Sequence, residues 1–408
     1  MKKIALQIIL LIFTAHAIQS QTVVLDANNV TIKWTGTTVP SPYFVQANPR
    51  GTGMEWFAIV NNSTKSNITA YAKNIQSGIT FFTPPSTTTP IPFDNIVTTL
   101  VTNMSNMFDN ANGFNQPIGS WNVSNVTNMQ QIFYNATAFN QNIDSWNVSN
   151  VTNMALMFFG ATAFNQPIGS WNVSNVTDMS VMFTDATAFN QNISAWNVSN
   201  VTDMSSMFTN ATAFNQNIGA WNVSNVTNMS TMFTNATAFN QNIGAWNVSN
   251  VTNMSSMFTS AGLSTANYDA LLIGWSTIST NEVPLKPNIV FSGGNSKYCN
   301  GASARNILDF TPNNWTITDG GLDCSGLDNE TFDIVTLKLY PNPVVSVLNV
   351  KTENNLINQP YAIIDGLGRV VLNGKLNEVD SNINVEQLSK GIYYLKVAGK
   401  SATKFIKE

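Results

Sequence analysis

The chain has 408 residues, enough for two or three domains, and carries a net charge of −4 with only 10% charged residues, far below the usual quarter. Asn, Ser and Thr supply the polarity instead. So small and diffuse a charge argues against nucleic acid or an anionic membrane surface as partner.

At the N-terminus, Lys2 and Lys3 precede an apolar run from Ile4 to Phe13, and Ala15-His16-Ala17 offers an A-x-A site. This is the pattern of a secretory signal peptide over residues 1–20, with cleavage expected after Ala17 or Ser20. The run is too short to span a bilayer, and no later stretch is long and apolar enough, so no integral membrane segment is expected. His16 is the chain's only histidine and leaves with the signal. That removes His-based catalysis and the commonest transition-metal ligand, so neither an enzyme nor a cofactor is expected. In an exported chain the two cysteines, Cys299 and Cys324, are expected to form a disulfide.

Residues 21–100 show no period. Trp34, Trp56, Phe57, Phe81 and Phe82 and a Pro-rich end from Pro84 to Pro92 mark them as an N-terminal cap on a repeat array.

From residue 101 to 260 one sentence recurs. Trp121, Trp146, Trp171, Trp196, Trp221 and Trp246 stand 25 residues apart, each within F-N-Q-x-I-x-x-W-N-V-S-N-V-T-x-M-x-x-M-F-x-x-A-T-A. Such a period predicts a stacked repeat array in which each unit buries its apolar residues against its neighbours. Trp121 and Val123 alternate with polar residues, predicting a short strand. Val126, Met129, Ile132, Phe133 and Ala136 fall at three- and four-residue spacing, predicting a short helix. The expected fold is therefore an α/β solenoid with a parallel sheet rising about 4.8 Å per coil. Asn125, Asn150, Asn175, Asn200, Asn225 and Asn250 are expected to form a structural ladder of amides bonding backbone between coils.

Between residues 101 and 258 there is no Lys, Arg or Glu. The outward strand face, with Ser120, Ser145, Ser170 and then Ala at the same place, beside Asn122, Asn147, Asn172, Asn197, Asn222 and Asn247, is the candidate ligand face. An uncharged repeated face suits a repetitive ligand such as a glycan, or no ligand at all. The W-N-V-S-N-V-T-x-M-x-x-M-F unit resembles the BspA-like leucine-rich-repeat surface proteins of bacteria, with Ile118-x-x-Trp121-x-Val123 in place of the L-x-x-L-x-L strand. The resemblance implies a right-handed leucine-rich-repeat-like coil at the cell surface, often linked to adhesion.

Residues 261–324 read as the second cap, with a helix over 267–275 and a strand over 315–318. Asp319, Asp323 and Asp328 are weak calcium-ligand candidates, acidic but without the spacing of a known calcium loop. A polar linker over 325–334 leads to residues 335–408, where Lys becomes frequent and short alternating runs predict a small all-β immunoglobulin-like sandwich. Leu339-Tyr-Pro-Asn-Pro343, Asp365-Gly-Leu-Gly-Arg369, Leu388-Ser-Lys-Gly-Ile-Tyr-Tyr-Leu-Lys-Val397 and Lys404-Phe-Ile-Lys407 together resemble the C-terminal sorting domain of type IX secretion. That implies a Bacteroidetes-type Gram-negative source, the type IX machinery as partner, and export through the periplasm. The expected function is a secreted or cell-surface, adhesin-like binding protein for a glycan, matrix or protein ligand. The alternative is a surface spacer or coat protein with no dedicated ligand.

Overall fold

The structure is a computed structural model; it describes residues 22–277, 284–325, 337–351, 356–366, 369–397 and 403–408. The expected signal peptide over 1–20, the calcium candidate Asp328 and nearly all of the linker lie outside the described residues. The chain divides into two units, one ending at Cys324 and one beginning at Ser325.

The first unit opens with β1 (Val23–Leu25) and β2 (Ile32–Trp34), an antiparallel pair. A three-stranded sheet comes next, formed by β3 (Phe44–Ala47), β4 (Glu55–Asn61) and β5 (Ile96–Leu100), with α1 (Lys65–Ala72) and α2 (Gln76–Phe81) inserted between its last two strands. This segment covers the first repeat. Ile32 N donates to Ser120 O at 2.7 Å, and Trp121 Nε1 to Phe93 O at 2.8 Å.

The repeats correct the expected architecture. Between residues 101 and 258 no described residue lies in a helix, and one repeat pairs with the next through a single parallel bridge, running Asn103–Asn128–Asn153–Asp178–Asp203–Asn228–Asn253, while Trp121 and Met254 bridge to Ile32 and Phe291 of the flanking segments. There is no leucine-rich-repeat-like α/β solenoid and no continuous parallel sheet. The sheets of the protein are small, separate and mostly antiparallel.

The reason lies in the backbone of the segment expected to be helical. Gln131 (φ 57°) and Asn135 (φ 53°) are left-handed, as are the residues at the same two places in later repeats, Leu156 and Gly160, then Val181 and Asp185. A left-handed residue every fourth position breaks a right-handed helix. The N–H groups split accordingly. Those of Ile132, Tyr134 and Ala136 close tight turns onto Met129, Gln131 and Phe133, while those of Gln131, Phe133 and Asn135 donate to Ala155, Met157 and Phe159 of the following repeat. The apolar spacing that suggested one face of a helix is produced by consecutive turns, all burying the same side.

Stacking holds the repeats together. Phe133, Phe158, Phe183, Phe208 and Phe233 form a column with ring centroids 5.4 to 5.8 Å apart and nearly parallel planes. A second column runs beside it, with Phe139 3.9 Å from Phe133. All these rings are essentially inaccessible to solvent, so each repeat's core exists only between its neighbours. The structural Asn row bonds backwards: Asn150, Asn175, Asn200, Asn225 and Asn250 each donate from Nδ2 to the backbone oxygen of the serine 26 residues earlier, at 2.7 Å.

The array ends against α3 (Thr265–Ser276), whose first turn is capped by Ser264 Oγ accepting from Asn267 N. β6 (Val290–Ser292) and β7 (Thr316–Thr318) pair in parallel, flanking α4 (Ala302–Asp309). Phe258 N donates to Ser292 O, closing the last repeat. The buried carboxylate of Asp269 accepts from the backbone N–H of Cys299, Asn300 and Gly301, and a disulfide joins Cys299 to Cys324.

The second unit is all β, in two antiparallel sheets. One contains β8 (Lys338–Tyr340), β9 (Val347–Lys351) and β12 (Asp380–Asn384); the other contains β10 (Pro360–Asp365), β11 (Val370–Lys375), β13 (Gly391–Val397) and β14 (Thr403–Lys407). Leu348 and Val350 from the first sheet and Ile363, Tyr393, Leu395 and Phe405 from the second share one core. The strict alternation of buried and exposed residues along β13 is what a half-covered sheet requires.

Candidate functional site

The expected ligand face does not behave uniformly. Asn122 is buried, and its Nδ2 reaches Thr99 Oγ1 at 3.3 Å. Asn247 is half-buried, its Oδ1 accepting from both N and Oγ of Ser249. Between them Asn147, Asn172, Asn197 and Asn222 are exposed. Each turns its Oδ1 back onto the N–H two residues on, from Ser149, Ser174, Ser199 and Ser224 at 3.1 to 3.2 Å. This local turn fixes the side chain, and among the described residues no partner takes its NH2 group. The serines are more committed. Ser120 Oγ donates to Asp94 O, Ser145 Oγ to Gly119 O, and Ser170 Oγ to the Asp144 carboxylate.

A second row was not evident from the sequence. Asn142, Asn192, Asn217 and Asn242 repeat the same geometry five residues earlier, each Oδ1 accepting the N–H of the residue two on, at 2.9 to 3.0 Å. These four are exposed as well. Their signal was the same 25-residue period, masked because Pro117 and Pro167 interrupt it.

Toward the C-terminal end of the array the outward Ser becomes Ala, and two hollows open. One, of about 470 Å³, is bordered by Asn217, Gly219, Ala220, Gln241, Asn242 and Ala270, with Gly244 and Ala245 between it and the next. The other, of about 340 Å³, lies against Trp246, Asn247, Trp275 and Thr277. Glycine and alanine at 219, 220, 244 and 245 and the primary amides of Asn217, Gln241, Asn242 and Asn247 line them, with no charged side chain. An uncharged hollow lined by apolar groups and amide donors suits a neutral, hydroxyl-bearing ligand.

The calcium candidates are otherwise engaged. Asp319 Oδ2 accepts from Arg305 Nε at 2.8 Å and from the Tyr268 hydroxyl at 2.9 Å, and its Oδ1 from Gly321 N. Asp323 pairs with Lys297 at 2.8 Å. Burial, reinforced by the negative charge of Asp319, pushes the Tyr268 phenol far above its ordinary range.

Residues 80–193 and 164–271 match a family described as Mycoplasma protein of unknown function, DUF285. Residues 338–408 match the secretion system C-terminal sorting domain. No curated protein and no solved structure matches the chain. The sorting domain marks a protein handled by the type IX secretion machinery and delivered to the cell surface or beyond. Among the described residues no helix is long and apolar enough to cross a membrane.

Proposed function

We propose that the chain is an adhesin-like surface binding protein, without catalytic activity, whose repeats take a glycan or another hydroxyl-rich polymer. The observation that carries this reading is the pair of exposed Asn rows. They present unpartnered amide donors once per repeat, held rigid by their own turns, beside uncharged hollows. A repetitive ligand would meet the same donor at each step, and many weak contacts would add through effective concentration. The likeness to BspA-like surface proteins in the W-N-V-S-N-V-T unit supports adhesion as the biological use.

The secreted full chain, applied to arrays of bacterial and host glycans, tests the reading. Binding that falls when Asn217 and Asn242 are both replaced by Ala, with thermal stability unchanged, is the expected result. Blank arrays, together with loss of surface integrity in cells lacking the protein, favour a spacer. That second reading has its own support: each Asn from Asn150 to Asn250 gives its Nδ2 to the neighbouring repeat.

A further inference from the structure

The distribution of exposed apolar side chains is uneven. No large apolar residue is exposed between residues 76 and 272, whereas the sorting unit exposes Tyr340, Val345, Val347, Val370, Val371, Ile392, Tyr394 and Ile406. Several of these fall on one surface. In the sheet ordered β11-β10-β13-β14, Ile363, Tyr393, Leu395 and Phe405 face the core, so the alternate residues face away from it. Register then sets the outer rows. Val370 stands opposite Ile364, Ile364 opposite Tyr394, and Tyr394 opposite Lys404; Ile392 stands opposite Ile406. The result is an apolar patch in which Val370 is 57% exposed, Ile392 46%, and Tyr394 and Ile406 38% each.

The charge around this patch has one dominant sign. Lys404 lies in its first row, Lys396 pairs with Ala362 in the next, and Lys375 pairs with Pro360 beyond that. All three lysines are exposed. The carboxylates stand at the border: Asp365 is held by Arg369 at 2.8 Å, and Glu408 comes after the last strand. Solvated sheet faces normally alternate apolar-in with polar-out. An outer face that repeats the apolar pattern and adds lysines is built to be covered.

From this we infer that the outer face of the four-stranded sheet is the surface by which the sorting domain docks on the type IX machinery, and that the receiving component presents an apolar groove edged with acidic side chains. The inference rests on the sorting assignment of residues 338–408 and adds the face, the anchoring side chains Ile392, Tyr394 and Ile406, and the charge of the partner.

The test follows the full-length chain in its native bacterium, comparing the amount exported with the amount retained in cells. Tyr394→Asp and Ile392→Asp, and separately the double reversal Lys396→Glu with Lys404→Glu, are expected to lower export roughly tenfold or more, the scale of a lost anchor. Val345→Asp with Val347→Asp, also exposed in the sorting unit but outside the four-stranded sheet, is expected to export normally. Protease resistance of the purified chains establishes folding, and the lysine reversals, at exposed strand positions, decide the matter should an apolar-to-Asp variant unfold. Export of folded face variants at the wild-type level overturns the assignment of the face. Removal of residues 338–408 separates the two layers: if that deletion leaves export intact the sorting role itself fails, whereas if it abolishes export while face variants pass, only the docking face is wrong.

Discussion

The indole of Trp171 donates from Nε1 to the backbone oxygen of Ile143, 28 residues earlier, at 3.2 Å. Trp146, Trp196, Trp221 and Trp246 make the same bond to Ile118, Ile168, Ile193 and Ile218. One side chain thus fills the core of its own repeat and satisfies a buried carbonyl of the one before. Trp171→Phe removes that bond, though Trp146 N still donates to Ile143 O, and leaves the indole's second ring unfilled in the core; together these are expected to cost about 1–3 kcal/mol. Asn175→Ala removes a shorter bond, 2.7 Å to Ser149 O, but at an exposed corner where water replaces the donor, and is expected to cost about 0.5 kcal/mol. Urea denaturation of the two variants side by side checks the ordering; an equal loss would contradict it.

Val181 offers the opposite sign. It is β-branched and sits at φ 61°, where the left-handed backbone costs a side chain about 1–2 kcal/mol. Asn106 holds the equivalent place in the first repeat at φ 59°, and Asn tolerates that region better. Val181→Asn is therefore expected to raise stability by up to about 1 kcal/mol. A lowered midpoint on thermal unfolding would refute the assignment of strain.

Alkaline pH should act on the cap through Tyr268. Its phenol is fully buried, donates to Asp319 and is held neutral well above the ordinary value. A group whose folded value is raised contributes its full stability below the unfolded value, about 10, and loses it as pH climbs beyond that. The loss is expected to reach at most about 1.4 kcal/mol per pH unit. Tyr268→Phe should be less stable than wild type at pH 8 yet show a shallower decline toward pH 11. Parallel declines for both proteins would show that another group governs the alkaline limb.

The Cys299–Cys324 bridge closes a loop of 25 residues, for which the chain-entropy account gives about 3 kcal/mol. Replacing both cysteines with Ser is expected to loosen the cap first. Hydrogen exchange should rise in α4 and β7 before it rises in the Phe133 to Phe233 column, and equal protection throughout would speak against a local staple.

The 25-residue period was legible because it rests on strict spacing, which Trp121 through Trp246 state outright. The helix expected over Val126–Ala136 was not there, because apolar residues at three- and four-residue intervals are as compatible with stacked tight turns as with a helix. What distinguishes them is a left-handed residue at every fourth place, and nothing in Leu156 or Val181 announces that. The Asn face was readable in outline, since Asn147 through Asn222 repeat without interruption. The hollows were not: they depend on how closely α3 approaches Gly244, and Gly274 has no room even for a methyl group there.

The repeat-to-repeat bonding has one further consequence. Each repeat receives its neighbour through the same bridge, the same ring column and the same Asn corner, so the interface at any one junction is interchangeable with the next. The caps meet only the outermost repeats. Nothing in the packing therefore counts how many repeats lie between them, and the near-identity of the segments from Phe189 to Met257 is the kind of sequence in which unequal exchange between copies inserts or removes whole units. Length is then heritable as an integer, adjustable in single steps without redesigning either end.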